Sequence, residues 1–185
     1  RYYVVDLGQG LSVDVYSLHM DAETTDADNA ARVSPLQRLV AAIKASDNTR
    51  PIIVMGDTNC RYTRDPLTTE FINAINADSR FNVHDPWVDF MWEGVPPVQG
   101  TGSLMVDALG QQKGEVVDKI FYINNTDANG ITLTANSYLH DDSFVLEDGS
   151  PAADHFPIVI DFTIENTRPI ASGGLYFLRN KATGT

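Results

Sequence analysis

Four short polar segments contain the residue types in this chain that could do chemistry. In chain order they read HMD (19–21), GDTN (56–59), VDKIFY (117–122) and ADHFPI (153–158). Each lies beside a β-branched or aromatic run that predicts a strand. A lone Asp or His at a strand end is more commonly structural, so the prediction depends on the whole set. Carboxylates, a carboxamide and histidines together could bind a divalent cation and transfer a proton.

Composition limits the class of protein. The chain has 185 residues, 43% of them hydrophobic and 21% charged, which is typical of one globular domain. Its net charge of −12 provides no general attraction to DNA or to an acidic membrane, although a local basic groove or a bound cation could change this. The single cysteine, Cys60, excludes an internal disulfide and a cysteine-rich zinc site. No apolar run is long enough for a transmembrane segment.

Strands and helices are predicted to alternate, which indicates an α/β fold. Residues 2–6 and 11–18 predict a hairpin around LGQG, and Ser34 followed by Pro35 predicts the start of a helix that extends to Lys44. The apolar run from Ile52 to Met55 predicts a strand buried on both faces. The remaining predictions are a helix over 68–77, an irregular stretch over 79–114, and strands over 115–123, 131–138 and 156–164.

The order of the four polar segments resembles that of the endonuclease/exonuclease/phosphatase superfamily, which includes deoxyribonuclease I, neutral sphingomyelinases and inositol polyphosphate 5-phosphatases. GDTN and ADHFPI are its most specific elements, and the resemblance covers about residues 2–164. It implies a deoxyribonuclease I-like four-layer sandwich of two mixed β-sheets flanked by helices. It also implies divalent-metal-dependent hydrolysis of phosphoesters. The family's metal-binding Glu would lie before residue 1, so N-terminal strands are expected to be missing from this chain.

The resemblance implies catalytic roles for residues that match the family motifs. His155 corresponds to the general base that takes a proton from water, and Asp118 to the carboxylate that orients it. Asp57 and Asn59 correspond to the pair that positions the nucleophile and the phosphate. His19 corresponds to the histidine that contacts a phosphate oxygen or assists the leaving group.

The resemblance also implies a metal site and a substrate. Asp154, together with Asp57 and Asn59, would hold Mg²⁺, or alternatively Mn²⁺ or Ca²⁺. Arg61 and Arg64 could bind a substrate phosphate, and a solvated loop is an equal alternative for them. Arg32 is assigned no role.

The leading functional hypothesis is a metal-dependent phosphodiesterase that acts on a lipid or small-molecule phosphoester. The alternatives are a nuclease of the same superfamily and a non-catalytic binding module with this fold. The aromatic residues Trp87, Phe90 and Trp92 could line a substrate cleft, but a satellite core is favoured for them.

Two domains and a location are also predicted. Residues 1–166 would be the C-terminal part of the catalytic domain, and 167–185 a linker with the truncated start of a second β module. The final LYFLRNKATGT resembles the first strand of β-trefoil carbohydrate-binding modules, which implies glycan binding. A secreted or periplasmic protein is favoured over a cytosolic one.

Overall fold

A computed structural model describes residues 1–8, 10–46, 49–63, 66–98, 112–125 and 130–166. The helices in these ranges are α1 (Asp26–Ala45), α2 (Asn73–Asn76), which continues a π-helical segment at Thr68–Ile72, and α3 (Pro86–Met91). The strands are β1 (Tyr2–Gly8), β2 (Leu11–His19), β3 (Ile52–Asp57), β4 (Phe81–His84), β5 (Asp118–Asn125), β6 (Ile131–His140) and β7 (Ile158–Asn166). The predicted linker and second module, 167–185, lie outside the described ranges, so the domain division stays a prediction.

The larger sheet is mixed and has the strand order β1-β2-β3-β5-β4. Strands β1 and β2 form the predicted antiparallel hairpin, while β2 and β3 run parallel and are joined by α1. Strand β5 runs antiparallel to both β3 and β4. Strands β6 and β7 pair antiparallel in a second, two-stranded sheet.

Apolar side chains cover both faces of the larger sheet. On one face, α1, the segment at 68–76 and α3 pack against β3 and β5 in a core that includes Leu36, Ile43, Phe71, Trp87, Ile52, Val54, Phe121 and Ile123. On the other face, Val13, Val15 and Tyr122 contact Leu133 of β6. Helices, the larger sheet and the smaller sheet are therefore stacked in layers, which confirms the predicted α/β sandwich.

Helix α1 begins well before the predicted start at Ser34. Thr25 is its N-cap: its hydroxyl accepts a hydrogen bond from the backbone N–H of Asp28, whose carboxylate accepts one from the backbone N–H of Thr25. This reciprocal arrangement satisfies two backbone donors that a helix start leaves unpaired. Pro35 lies inside the helix instead of in its first turn. The prediction of the helix start was therefore wrong, because it gave Pro35 more weight than the Thr25 cap.

The stretch predicted to be irregular contains both β4 and α3. Asp85 caps α3 by accepting a hydrogen bond of 2.9 Å from the backbone N–H of Trp87, and Pro86 occupies the first turn. Trp87 is only 2% exposed and belongs to the main core, so it lines neither a cleft nor a satellite core. Phe90 remains exposed.

The other predicted elements agree with the structure within about three residues, which is the usual uncertainty of element boundaries. One detail differs in β3: Ile52 and Val54 are each 1% exposed, but Met55 is 40% exposed. Cys60 is fully buried in the main core. Across the described ranges, no helix combines the length and apolarity needed to cross a membrane.

Candidate active site

The register of three neighbouring strands brings three of the predicted site residues into one row. His19 at the end of β2 pairs with Asp57 at the end of β3, and Asp57 pairs with Asp118 at the start of β5. Parallel β2 and β3 finish at the same sheet edge, and antiparallel β5 begins there. Since paired residues in neighbouring strands project to the same face, the three side chains share one side of the sheet.

His155 reaches this row from the loop that precedes β7. Its Nδ1 lies 2.7 Å from Oδ2 of Asp118, and the two side chains are 42% and 27% exposed. Burial raises the pKa of Asp118 above its ordinary value, and the nearby Asp57 raises it further, whereas His155 opposes both effects. Asp118 therefore holds the imidazole of His155 at Nδ1, which leaves Nε2 to contact another group.

His19 and Asp57 form a looser pair. Nε2 of His19 is 3.8 Å from Oδ2 of Asp57, and the His19 side chain is 78% exposed. At this distance the pair has an electrostatic contact and not a direct hydrogen bond. The histidine is thus placed at the open edge of the site, where it could approach a bound substrate.

Asn59 is fixed by one hydrogen bond within its own motif and one to the HMD motif. Its backbone N–H donates to Oδ1 of Asp57 at 2.8 Å, and its side-chain Nδ2 donates to the carbonyl of Met20 at 3.0 Å. Its φ is +47°, in the left-handed region that Asn adopts more readily than most residues. The Asn59 bond to Met20 and a bond of 3.0 Å from the Met20 N–H to the Asp57 carbonyl hold the GDTN and HMD segments together.

Asp57, Asp118 and His155 form the group that could hold a metal ion within the described part of the chain. One ligand atom from each lies within 4.8 Å of the others. The two carboxylates fit a hard cation such as Mg²⁺, which is commonly bound by one or two carboxylates, with phosphate oxygens and water completing its shell. The candidate ligand set therefore includes Asp118 and His155, which the sequence prediction did not count as metal ligands.

The structure tests the predicted roles of three other site residues less directly. Asp154 is exposed and lies outside this group, and among the described residues it forms no hydrogen bond or ion pair. Arg61 is half-buried. Arg64 lies outside the described residues. The roles assigned to these three side chains stay predictions.

Gly56 is required by the close approach of β2 and β3 beside the site. Its φ is +125°, which side chains other than glycine rarely adopt. A Cβ at this position would lie 2.2 Å from the backbone carbonyl oxygen of Leu18. The unfavourable φ and the short contact with Leu18 both involve backbone atoms, so a side-chain rearrangement cannot relieve either of them.

Gly56→Ala is therefore expected to destabilise the protein strongly. Backbone strain alone would lower the free energy of unfolding by about 1–3 kcal/mol, and the contact with Leu18 adds to it. Thermal unfolding checks this. The control is Gly149→Ala, because Gly149 has a φ of +82° but open space where the alanine methyl group would lie. Equal losses for the two variants would contradict the steric argument.

Arg32 is a site-supporting residue that sequence reasoning missed. It is completely buried, and its guanidinium donates to the backbone carbonyls of Asp21 and Glu23 at 2.7 and 3.1 Å. It thereby fixes the chain directly after His19. A signal was present: Arg32 precedes Leu36 by four residues, which places it on the apolar side of α1.

Comparison with known proteins finds sequence relatives and solved structures with a similar fold. Sphingomyelinases of Mycobacterium tuberculosis and Mycobacterium bovis are 30% identical over 163 residues, which is 87% of this chain and 30% of theirs. D. rerio TDP2 complexed with a single-strand DNA product matches with a TM-score of 0.53 at 18% identity, covering 84% of this chain and 58% of that one. An endonuclease/exonuclease/phosphatase from Beutenbergia cavernae matches with a TM-score of 0.51 at 16% identity, covering 92% and 40%. No protein-family model matches the sequence.

The shared architecture shows that the chain has a deoxyribonuclease I-like fold. Its ordered motifs resemble those of the endonuclease/exonuclease/phosphatase superfamily, and its sequence is similar to that of the mycobacterial sphingomyelinases. The chain spans only 30% of the length of the mycobacterial relatives. That it forms the C-terminal part of a catalytic domain stays a prediction.

Proposed function

We propose that the protein is a divalent-metal-dependent phosphodiesterase in which His155 is the general base. The observation that carries this proposal is the 2.7 Å contact between His155 and Asp118, directly beside Asp57. A carboxylate that holds one imidazole nitrogen orients the other nitrogen to accept a proton. With water in place of a serine hydroxyl, the same arrangement produces a hydroxide for attack on phosphorus.

Each residue at this edge of the larger sheet has a separate role in the proposed hydrolysis. His155 takes a proton from water at Nε2, and Asp118 holds the imidazolium that forms. Asn59 orients the substrate phosphate, and the exposed His19 donates a proton to the departing oxygen. A bound Mg²⁺, held by Asp57 with Asp118 nearby, would polarise the phosphoryl oxygens and stabilise the charge that develops on them.

We further propose that the substrate is a lipid phosphodiester. The mycobacterial relatives are sphingomyelinases, whose name specifies a lipid substrate. The chain's net charge of −12 favours a substrate without a long polyanionic backbone. A nuclease activity is the alternative, and D. rerio TDP2 with its single-strand DNA product has the same fold.

A hairpin over residues 144–152 has an apolar first arm, a turn at 147–149 and a second arm that leads to His155. Its exposed apolar arm supports a lipid substrate. Phe144, Val145 and Leu146 are 51%, 39% and 55% exposed. The hairpin is closed by hydrogen bonds from the Leu146 N–H to the Ser150 carbonyl at 2.8 Å and from the Ala152 N–H to the Phe144 carbonyl at 3.2 Å. Its second arm continues directly to His155. Three consecutive exposed apolar side chains in a hairpin that leads to His155 could enter the surface of a lipid layer.

The double variant Phe144→Ser/Leu146→Ser is therefore expected to lose activity only on membranes. Hydrolysis of sphingomyelin in phosphatidylcholine vesicles should fall about 10-fold or more, because each buried apolar side chain contributes about 1.5–3 kcal/mol. Hydrolysis of soluble bis-p-nitrophenyl phosphate should be unchanged. Val159→Ser, at an exposed apolar residue of β7, is the matched control. Equal losses on both substrates would contradict a membrane role for the hairpin.

The full-length protein tests the proposed function directly. Release of p-nitrophenol from bis-p-nitrophenyl phosphate and from p-nitrophenyl phosphate is measured with Mg²⁺, with Mn²⁺ and with chelator. We expect metal-dependent cleavage that favours the diester, and cleavage of vesicle sphingomyelin above that of single-stranded DNA. DNA cleavage alone would favour the nuclease, and no cleavage of any substrate would favour a binding module. Glycan binding and a secreted or periplasmic location stay predictions.

A further inference from the structure

An ion pair is buried in the core directly behind the candidate active site. Nζ of Lys119 lies 3.2 Å from Oε1 of Glu115, and the two side chains are 3% and 1% exposed. Lys119 follows Asp118 in β5, so its side chain points to the opposite face of the sheet, into the helix-covered core. A charged pair is costly to bury unless further hydrogen bonds compensate it.

Glu115 provides such a bond to the loop that contains Asn59. Its Oε1 also accepts a hydrogen bond of 2.6 Å from the backbone N–H of Tyr62. At the other end of this loop, both the N–H and the hydroxyl of Thr58 donate to the carbonyl of Val117, at 3.1 and 2.8 Å. The 58–62 loop is thus attached at both ends to the segment that precedes Asp118.

Lys119 is enclosed by aromatic rings and a second carboxylate. Its Nζ lies 4.9 Å from the ring centre of Trp87 and 5.3 Å from that of Tyr62. The Tyr62 hydroxyl donates to the buried carboxylate of Asp85 at 2.9 Å. The ammonium group therefore compensates the negative charge of a core that contains two carboxylates, Glu115 and Asp85.

We propose that Glu115 is a positioning residue for the candidate active site and that Lys119 is its ion-pair partner in the core. Through the backbone of Tyr62, Glu115 holds the Asn59 loop at a fixed distance from Asp118. The two groups that must act on one substrate lie on separate segments, and this bond joins those segments. The catalytic part of this inference rests on the phosphodiesterase function proposed above.

Hydrogen–deuterium exchange of the full-length protein tests the positioning without reference to activity. In Glu115→Ala, the amides of residues 58–62 are expected to exchange about 10-fold faster or more, because their loop has lost one attachment. Glu115→Gln should restore slow exchange, since its side-chain carbonyl can still accept from Tyr62. If Glu115→Ala does not fold, the double variant Glu115→Ala/Lys119→Met removes both charges and is measured in its place. Unchanged exchange in the folded variant overturns the proposal.

The control for general destabilisation is Ile131→Ala. Ile131 is 1% exposed and pairs with Asn166, at the end of the small sheet opposite to His155. Eight residues separate Ile158 from Asn166 along β7, which corresponds to about 26 Å. Faster exchange of residues 58–62 in this variant as well would indicate a merely structural effect and would overturn the proposal.

Kinetics on bis-p-nitrophenyl phosphate tests the catalytic consequence. Loss of the Glu115 side chain should lower kcat by about 10- to 100-fold with little change in KM, because misplacement affects the reacting geometry. Glu115→Gln should restore most of kcat, and Ile131→Ala should keep it at temperatures where it is folded. An unchanged kcat in the Glu115→Ala variant overturns the inference that this positioning matters for catalysis. A wild-type protein without diester hydrolysis would instead refute the proposed function, and the exchange result would still decide the positioning.

Discussion

Replacing His155 by alanine in the full-length protein is expected to lower kcat for diester hydrolysis by about 10²- to 10⁴-fold, the usual contribution of a general base. The reason is geometric: His155 is the imidazole held 2.7 Å from a partly buried carboxylate, with its second nitrogen left for water. Asp57 and Asp118, the two carboxylates of the candidate metal group, are untouched, so divalent-metal binding measured by calorimetry should persist. Initial rates on bis-p-nitrophenyl phosphate provide the test.

The matched control is His84→Ala. His84 also faces a carboxylate, with its Nδ1 3.7 Å from Asp89, but it stacks on Tyr122 away from the site. We expect it to leave kcat within a few-fold of the wild type. A His155→Ala variant that keeps its activity would remove the role assigned to His155. Loss of metal binding together with activity would make His155 a ligand instead of a base.

Replacing Asp118 by asparagine should lower kcat by up to about 10⁴-fold, the scale of the corresponding change in a Ser-His-Asp triad. Asparagine can donate a hydrogen bond to Nδ1 of His155, which would leave the proton on Nε2, where a base must be free. It also removes the negative charge that holds the imidazolium. The same soluble diester assay measures the effect, with Asp89→Asn as the matched control for a carboxylate that faces a histidine elsewhere.

A double-mutant cycle decides how Asp118 acts. If it works through His155, the double variant His155→Ala/Asp118→Asn should be no slower than His155→Ala alone, because residues that act as a unit are non-additive. If the two single effects multiply, Asp118 acts independently, as a metal ligand would. This distinction matters because Asp118 belongs both to the His155 pair and to the group that could hold an ion.

Local sequence chemistry determined several features of the protein. The apolar run before Gly56 predicted β3, and LGQG predicted the hairpin, because both signals depend on neighbouring residues only. The set of motifs predicted a site at one sheet edge, and the register of His19, Asp57 and Asp118 places these three residues there. The cap at Thr25 is also a local sequence signal, although the helix start was predicted from Ser34 and Pro35.

Only the tertiary structure decided how the site is supported. Arg32, Glu115 and Lys119 are charged residues, a type that is usually exposed, yet each is at most 3% exposed. Their partners lie on other segments: the carbonyl of Asp21 for Arg32, and the backbone of Tyr62 for Glu115. Charged side chains are buried only when distant groups compensate them, and spacing along the chain does not encode that compensation. The sequence thus determined which residues could react, and the packing of separate segments determined what holds them in place.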